Sequence, residues 1–331
     1  MNKILIHSWG ISSQLIINEA HKKHLQTEEI SRENNLFSLN NDKKTIYFKS
    51  VDCGLNSSFG LKIADNKELT YKIAQENNIR VPRSIYIDRV DMGKISEISK
   101  SLVYPVISKP IDGARGDGVA VNLNSDDELR KGVEYSFQDT DVNRVVIQEQ
   151  IKGEDHRILV IKGKVVAVTM RIPPYVVGDG KSTISELIEK ENKNPLRGDG
   201  GDHDAPMSNI KVDSECISHL DELGYTLESV LESTQQINVR KNANLSTGGL
   251  AIDKTTEIHP SVKAQAEKIA QICDLGFSGV DFFCEDISQS LEEGKGAIIE
   301  INATPGIRMH HFPSQGEGVN VAKILIEAIF D

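Results

Sequence analysis

The stretch "NRVVIQEQIKGEDHRILVIKGKVVAVTMRIPP" (residues 143–174) decides the fold, because it combines strand-like apolar runs with an unusual number of charges. "HRILVI" and "KVVAVTM" flank a Lys-Gly-Lys turn, which predicts a β-hairpin. Unpaired charge is costly among apolar side chains, so a sheet that only buried its faces would not carry so many. The hairpin is therefore expected to do more than pack. The charged residues along and between its strands are Glu149, Glu154, Asp155, Arg157 and Arg171.

The composition describes a globular chain, long enough for one large domain or for several small ones. It has 331 residues, of which 38% are hydrophobic. A net charge of -11 without a block dense in Lys and Arg argues against nucleic acid as the main partner. The first residues lack the features of a signal peptide, and no apolar run approaches the length of a membrane span. The sequence thus predicts a cytoplasmic protein without a membrane partner.

The order of predicted elements divides the chain into three segments. Residues 1–65 are expected to form a short strand-helix unit, "KILIHS" followed by "QLIINEAHKKHL", with a polar loop at residues 31–44. Residues 66–150 and 151–331 each mix strands with helices. The expected class is therefore α/β, in the form of two α+β subdomains after a small N-terminal unit.

Helix signals are clear at two places in the middle segment. A helix is predicted to start near Asp65 or Asn66, with Leu69 and Ile73 on one face. Farther on, "SDDELRKGVEYS" opens with a capping box. In the third segment, "PSVKAQAEKIAQIC" and "NVAKILIEAIF" read as helices, whereas residues 190–215 show neither period.

Two strands near the end carry the clearest chemistry, "GVDFFCED" and "AIIEINATPG". Side chains alternate along a strand, so Glu300 and Asn302 point to one side, roughly 6.6 Å apart. With Asp281 on the neighbouring strand they form a set of oxygen ligands that suits Mg²⁺. The alternative for any one carboxylate is a solvated sheet face, which is less plausible for the whole set.

A glycine-rich loop, "IDGARGDGV", joins the strands "YPVISKP" and "GVAVNL". Gly113, Gly116 and Gly118 would let backbone N–H groups approach an anion, and Lys109 supplies a positive charge beside them. The spacing matches neither the Walker A pattern nor the dinucleotide fingerprint, and such loops are usually simple turns. Taken alone, the loop does not decide between a phosphate flap and a turn.

Taken in order, these motifs resemble the ATP-grasp superfamily of ATP-dependent carboxylate ligases. Within it, "RIPPYVVGDGKSTISELIEKEN", "NPLRGDG" and "NANLSTGGLAID" are similar to the ATP-grasp domain of cyanophycin synthetases and the C-terminal ligase module of bifunctional glutathione synthetases. The likeness covers about residues 60–331. It implies ATP, Mg²⁺ or Mn²⁺ as cofactors, amino-acid or short peptide substrates, and a homodimer as one oligomeric form.

The resemblance also implies roles for individual residues. Arg240, with Asn244 beside it, would face the transferred phosphoryl group. D-alanine:D-alanine ligases have an arginine two residues before the metal-binding aspartate; here that position is Gly279, so Arg240 would supply the charge. Asp281, Glu300 and Asn302 would hold the metal. The implied nucleotide contacts are Lys67, Lys109, the flap glycines, the hinge of Glu149, Gln150 and Ile151, and, for the ribose, either Glu154 or Asp155.

The implied reaction is amide formation through an acyl phosphate, with positioning and electrostatic stabilisation as its means. The hairpin charges are then explained as one wall of a nucleotide cleft. For Arg157 and Arg171, a structural ion pair is as plausible as a ligand contact. Two alternatives stay open: a non-catalytic ATP-binding subunit of a larger ligase, and an ATP-grasp enzyme that forms a thioester. The residues expected to receive an acidic substrate are Arg157, Arg171, Arg197 and Arg308.

Overall fold

Two antiparallel sheets, of four and five strands, carry the site in the computed structural model, which describes residues 9–111, 118–138, 143–198 and 205–331. A third, smaller sheet lies in the N-terminal segment. The predicted strand "KILIHS" falls outside the described residues. No helix among the described residues is both long enough and apolar enough to span a bilayer.

The N-terminal segment contains more secondary structure than predicted. Helix α1 (Ile11–Lys22) precedes a meander of β1 (Gln26–Ser31), β2 (Leu36–Asn41) and β3 (Lys44–Lys49). The expected loop at residues 31–44 is thus wrong, because its polar residues form tight turns. The side chain of Asn41 accepts hydrogen bonds from the Lys43 and Lys44 backbones in one of them. Between the turns, Phe37 is fully buried and stacks on Phe48 with 5.1 Å between ring centroids.

The next helices, α2 (Ser58–Ala64) and α3 (Lys67–Glu76), lead into the first subdomain. Asn66 caps α3, since its Oδ1 accepts from the Leu69 N–H at 3.0 Å. The predicted apolar face is wrong for Leu69, which is 42% exposed. The helix instead buries Tyr71, whose hydroxyl donates to the Ile299 carbonyl at 2.6 Å.

The four-stranded sheet has the order β4-β7-β5-β6, all neighbours antiparallel. One apolar cluster fills the space between this sheet and its helices. The elements of this subdomain are β4 (Ser84–Asp88), a 3₁₀ turn (Arg89–Lys94), α4 (Ile95–Ile98), a second 3₁₀ turn (Ser99–Ser101), β5 (Val106–Pro110), β6 (Ala120–Leu123), α5 (Asp126–Gln138) and β7 (Arg144–Glu149).

The remaining elements form the five-stranded sheet, its helices and a small lobe, which is built from the described residues between 175 and 239. In chain order they are β8 (Glu154–Ile161), β9 (Lys164–Ile172), β10 (Tyr175–Val177), α6 (Ile184–Asn192), β11 (Arg197–Gly198), β12 (Met207–Ser208), α7 (Ser214–Glu222), β13 (Gln236–Asn238), a 3₁₀ turn (Leu245–Thr247), β14 (Leu250–Asp253), α8 (Pro260–Ile272), β15 (Phe277–Cys284), β16 (Ala297–Ala303), α9 (Arg308–His311) and α10 (Val321–Phe330).

The sheet has the order β14-β9-β8-β15-β16. The predicted hairpin is confirmed as β8 and β9. Its turn, Lys162 and Gly163, has positive φ at both positions, as a tight hairpin turn requires.

Both faces of this sheet are apolar along part of their length. On one face, strand residues such as Ile158 and Val280 pack with α3 and α8. On the other, Leu159 and Phe277 pack with α1, the meander and α10. Because side chains alternate along a strand, this second face also carries Asp155, Arg157 and Asp281, which lie beyond its apolar part. The N-terminal segment therefore covers one half of the face on which the site lies.

Candidate active site

A cleft of about 440 Å³ opens where the two sheets approach each other. Its walls come from α2, the start of α3, the end of β5 and the edge strand β16. A smaller pocket adjoins it and shares Lys67 and Ile111 with it. The cleft is lined by Leu61, Ala64, Asp65, Lys67, Ile111, Glu300, Ile301, Asn302, Ala303 and Thr304.

Two lysines stand at this junction. Lys67, the first residue of α3, lies 3.5 Å from a carboxylate oxygen of Glu300. Lys109 lines the adjoining pocket and donates to Oε1 of Gln148 at 3.0 Å. Burial of its ammonium group, and then repulsion by Lys67, lower the pKa of Lys109 to about 8, against an opposing attraction by Glu300. Both predicted phosphate-binding lysines thus reach the same place.

The predicted metal ligands occupy neighbouring strands. In the β15–β16 register, Asp281 lies opposite Glu300, and Gly279 lies opposite Asn302. Nδ2 of Asn302 is 3.4 Å from Oδ2 of Asp281. The three side chains are therefore adjacent, as the alternation of the strands predicts.

Asp281 is neutralised by two arginines from the hairpin. Arg157 binds both of its carboxylate oxygens, and Nη2 of Arg171 is 3.2 Å from Oδ2. Burial alone would raise the pKa of Asp281, but the two guanidinium groups lower it. Arg171 also binds Asp155 at 2.6 Å, yet burial of that carboxyl group outweighs the ion pair and raises its pKa.

The donor set is compatible with a divalent cation. Two carboxylates and an amide suit Mg²⁺, which keeps positions for other oxygens. Glu300 and Asn302 line the cleft, and Asp281 lies directly behind them. No group of three or more His, Cys, Asp or Glu side chains is placed to hold a metal in the part of the chain that the structure describes. A metal here would therefore need oxygens from a ligand as well.

The predicted hinge joins the two sheets. Glu149 binds Arg80 at 2.8 Å and accepts from the Arg83 N–H at 3.1 Å. Burial raises the pKa of Glu149, but these donors lower it overall. Gln150 exchanges two hydrogen bonds of 2.7 Å with Asn122 at the end of β6, and Ile151 is half-buried.

The structure separates the two candidates for the ribose contact. Asp155 shares a sheet face with Arg157 and binds Arg171, whereas Glu154 is exposed and points to the opposite face. Of the three predicted flap glycines, Gly113 and Gly116 lie outside the described residues. Gly118 has φ +68°, a conformation that favours glycine.

Arg240 and Asn244 do not belong to the residues that line the described part of the cleft. Arg240 is only 2% exposed and binds the Lys211 carbonyl at 3.0 Å, Asp213 at 2.6 Å and Glu215. Its Nε is buried without a hydrogen-bond partner among the described residues. Asn244 is half-buried at the start of a 3₁₀ turn. Their predicted role therefore remains a prediction.

The other two predicted substrate arginines converge on Ser208. Arg197 donates to the Ser208 carbonyl at 2.6 Å and pairs with Glu191 at 3.1 Å, beside a separate cavity of about 190 Å³. Arg308 donates to Oγ of Ser208 at 3.1 Å and to the Ala205 carbonyl at 2.9 Å. Arg308 thus joins α9 to the small lobe, whereas Ser208 and Glu191, the partners of Arg197, lie within that lobe.

Sequence reasoning missed Gln148, Arg80 and Asp65. Gln148 is 1% exposed, accepts from Lys109 and donates to Ser84 at 2.9 Å. Its signal in the sequence is a polar residue inside the apolar run "VVIQE", since buried polar groups need partners. Arg80 and Asp65 have no comparable signal, because both lie in connections between elements.

Known proteins are similar to this chain in sequence and in fold. A family model described as the ATP-grasp domain matches residues 64–226. Cyanophycin synthetase of Crocosphaera subtropica is 36% identical over 98% of this chain and 37% of its own length. The glutathione biosynthesis bifunctional protein GshAB of Clostridium perfringens is 32% identical over 97% of this chain and 41% of its own length.

Among solved structures, a bifunctional glutathione synthetase from Pasteurella multocida is similar, with a TM-score of 0.77 and 26% identity. That match covers 98% of this chain and 44% of the other. The chain thus spans less than half the length of each of these three proteins. It contains an ATP-grasp domain, matched at residues 64–226, and has the ATP-grasp fold.

Proposed function

We propose that this chain is an ATP- and Mg²⁺-dependent ligase that joins a carboxylate to an amine. The observation that carries the proposal is the meeting of two lysines and a two-carboxylate, one-amide set in and directly beside one cleft between two sheets. Cations suit a polyphosphate, and the acidic set suits the metal ion that accompanies it. The names of the relatives, synthetases of cyanophycin and glutathione, support amide formation as the reaction.

In this proposal, Lys67 and Lys109 bind phosphate oxygens. The hinge at Glu149, Gln150 and Ile151 holds the adenine, partly through backbone groups. Asp155 is the better candidate for the ribose, because it lies on the face that carries Asp281. The metal, held by Asp281, Glu300 and Asn302, would neutralise charge on the phosphates when bound.

The reaction takes place in two steps. A carboxylate oxygen of the substrate attacks the terminal phosphorus of ATP, and ADP leaves. The amine then attacks the carbonyl carbon of the acyl phosphate; the C–N bond forms, the C–O bond to phosphate breaks, and the amine loses a proton. Both steps develop negative charge on oxygen, so fixed cations lower their barriers.

The substrate is proposed to be an amino acid or short peptide with an acidic group. Arg197, Arg240 and Arg308 supply positive charge around the small lobe, although each already has partners there. The homodimer remains a prediction.

The test is phosphate release from Mg-ATP in the presence of pooled amino acids and short acidic peptides, with mass analysis of the product. We expect release to need both a carboxylate and an amine, and the product to be lighter than their sum by one water. Lys109→Met and Asp281→Asn should each abolish release. Lys100→Met, at an exposed lysine, is the matched control and should leave it unchanged. ATP binding without release under any of these conditions would contradict the proposed reaction.

A further inference from the structure

One arginine of the hairpin has donors that its ion pair does not use. Arg157 lies directly opposite Asp281 in the β8–β15 register. Its Nε and Nη2 bind the two carboxylate oxygens of Asp281, the latter at 3.2 Å. Its third nitrogen, Nη1, makes no hydrogen bond to any of the described residues, which leaves two N–H donors.

Gly279 makes room for this side chain. A Cβ at position 279 would lie 2.8 Å from Cδ of Arg157, 3.2 Å from Nη1, and 3.0 Å from Cβ of Pro305. The arginine therefore runs across the glycine. Because Gly279 does not have positive φ, its backbone does not require glycine, and the close approach of Arg157 does.

The register gives the direction in which the unused donors lie. Gly279 is opposite Asn302 on β16, and Asn302 lines the cleft. Nη1 of Arg157 lies over Gly279, the residue of β15 that is paired with Asn302. A guanidinium with free N–H groups at that place can donate to an anion inside the cleft.

Apart from Asp65 and Lys109, which also border this region, the charged groups beside the cleft are joined in ion pairs. Three carboxylates, those of Asp155, Asp281 and Glu300, pair with the three cations Lys67, Arg157 and Arg171. A metal ion bound by Asp281 and Glu300 would take over part of this balance. The guanidinium of Arg157 would then be available to a negatively charged group of the nucleotide.

We infer that Arg157 contacts the terminal phosphoryl group, both in ATP and in the acyl phosphate, and that Gly279 lacks a side chain to let it reach. The inference rests on the proposed function and adds a catalytic residue to it. Arg157 would hold the oxygens of the group being transferred, for which the planar guanidinium is suited.

The experiment compares binding of Mg-ADP with that of a non-hydrolysable Mg-ATP analogue, measured by calorimetry. Arg157→Met should lower the preference for the analogue over ADP by about tenfold or more, as expected for loss of a charge-assisted contact. Arg171→Met is the matched control, since Arg171 also pairs with Asp281 but does not lie over Gly279. It should affect both nucleotides alike.

A double variant that moves the arginine from position 157 to position 279 tests whether the contact with the nucleotide, and not only the ion pair with Asp281, matters. In Arg157→Met/Gly279→Arg, the new arginine occupies the same space from β15, and at least part of the lost preference and turnover should return. Gly279→Arg alone should be less active than wild type, because the new side chain would collide with Arg157. If Arg157→Met does not fold, Arg157→Lys, which keeps the charge but loses the fork, should still lower the preference by about fivefold.

The inference is overturned if Arg157→Met keeps the wild-type preference, or if Arg171→Met loses it to the same degree. Failure of the proposed function looks different. In that case the wild-type chain itself does not bind the ATP analogue, and the inference fails with it.

Discussion

Lys109 should make nucleotide binding depend on pH in a range where an ordinary lysine would not. Its pKa is lowered to about 8 by burial and by Lys67. If only the protonated form binds phosphate, about nine-tenths of the protein is competent at pH 7 and about one-tenth at pH 9. The affinity for ATP should therefore fall by about tenfold over this range, or about 1.4 kcal/mol. A lysine with a pKa near 10.4 would give almost no change.

The assay is calorimetric titration with ATP at several pH values between about 7 and 9. The matched variant is Lys109→Arg, because a guanidinium keeps its proton throughout the range. Its affinity should be nearly independent of pH, apart from changes in the nucleotide that both proteins share. An equally steep fall in Lys109→Arg, or no fall in wild type, would refute the assignment of this titration to Lys109.

Three further predictions concern stability, each measured as the free energy of unfolding in urea. Gly153→Ala should lower the free energy of unfolding by at least about 3 kcal/mol, because φ is +118° and a Cβ would lie 2.0 Å from the Cys284 carbonyl oxygen. Gly163→Ala is the control: its φ is +72° but the space around it is open, so it should lower that free energy by only about 1 kcal/mol. Equal losses in the two variants would contradict the steric argument. Leu325→Ala should cost about 2–5 kcal/mol, since this fully buried side chain of α10 joins the core shared with the N-terminal segment; a cost below about 1 kcal/mol would mean that this core adds little. His310 is buried and its pKa is lowered to about 3, so the stability that its neutral form contributes is present above about pH 6.5 and is lost as the pH falls. His310→Gln should therefore reduce the loss of stability between about pH 6.5 and pH 5 by up to about 2 kcal/mol. An unchanged pH profile would exclude this histidine as the source of that loss.

Local signals predicted those parts of the fold whose cause is local. The hairpin at Lys162 and Gly163 follows from its turn residues, and the start of α3 follows from Asn66 as cap. The meander was missed because the polar residues of its strands and turns read as a loop. The exposed Leu69 was missed because the position of β16, far away in sequence, decides which face of α3 is buried.

The site divides in the same way. Alternation along two strands was enough to place Asp281, Glu300 and Asn302 together. The pairing of Asp281 with Arg157 depends on the register between β8 and β15, more than a hundred positions apart in the sequence. Periodicity within one segment carries no information on such a register. The contacts of Arg240 with Asp213 and Glu215 likewise join elements that no local pattern connects.

The contacts of Glu149 have a mechanical consequence. The chain enters the four-stranded sheet after Arg83 and leaves it at Glu149, and the two backbones are hydrogen-bonded at 2.8 Å. The first subdomain is therefore one continuous segment of the chain, and this hydrogen bond joins its two ends. In the β5–β7 register Glu149 lies opposite Val106, so Pro110 is about 13 Å farther along the sheet. In a rotation about this point, residues near Glu149 would hardly move, whereas Lys109, farther along β5, would move more.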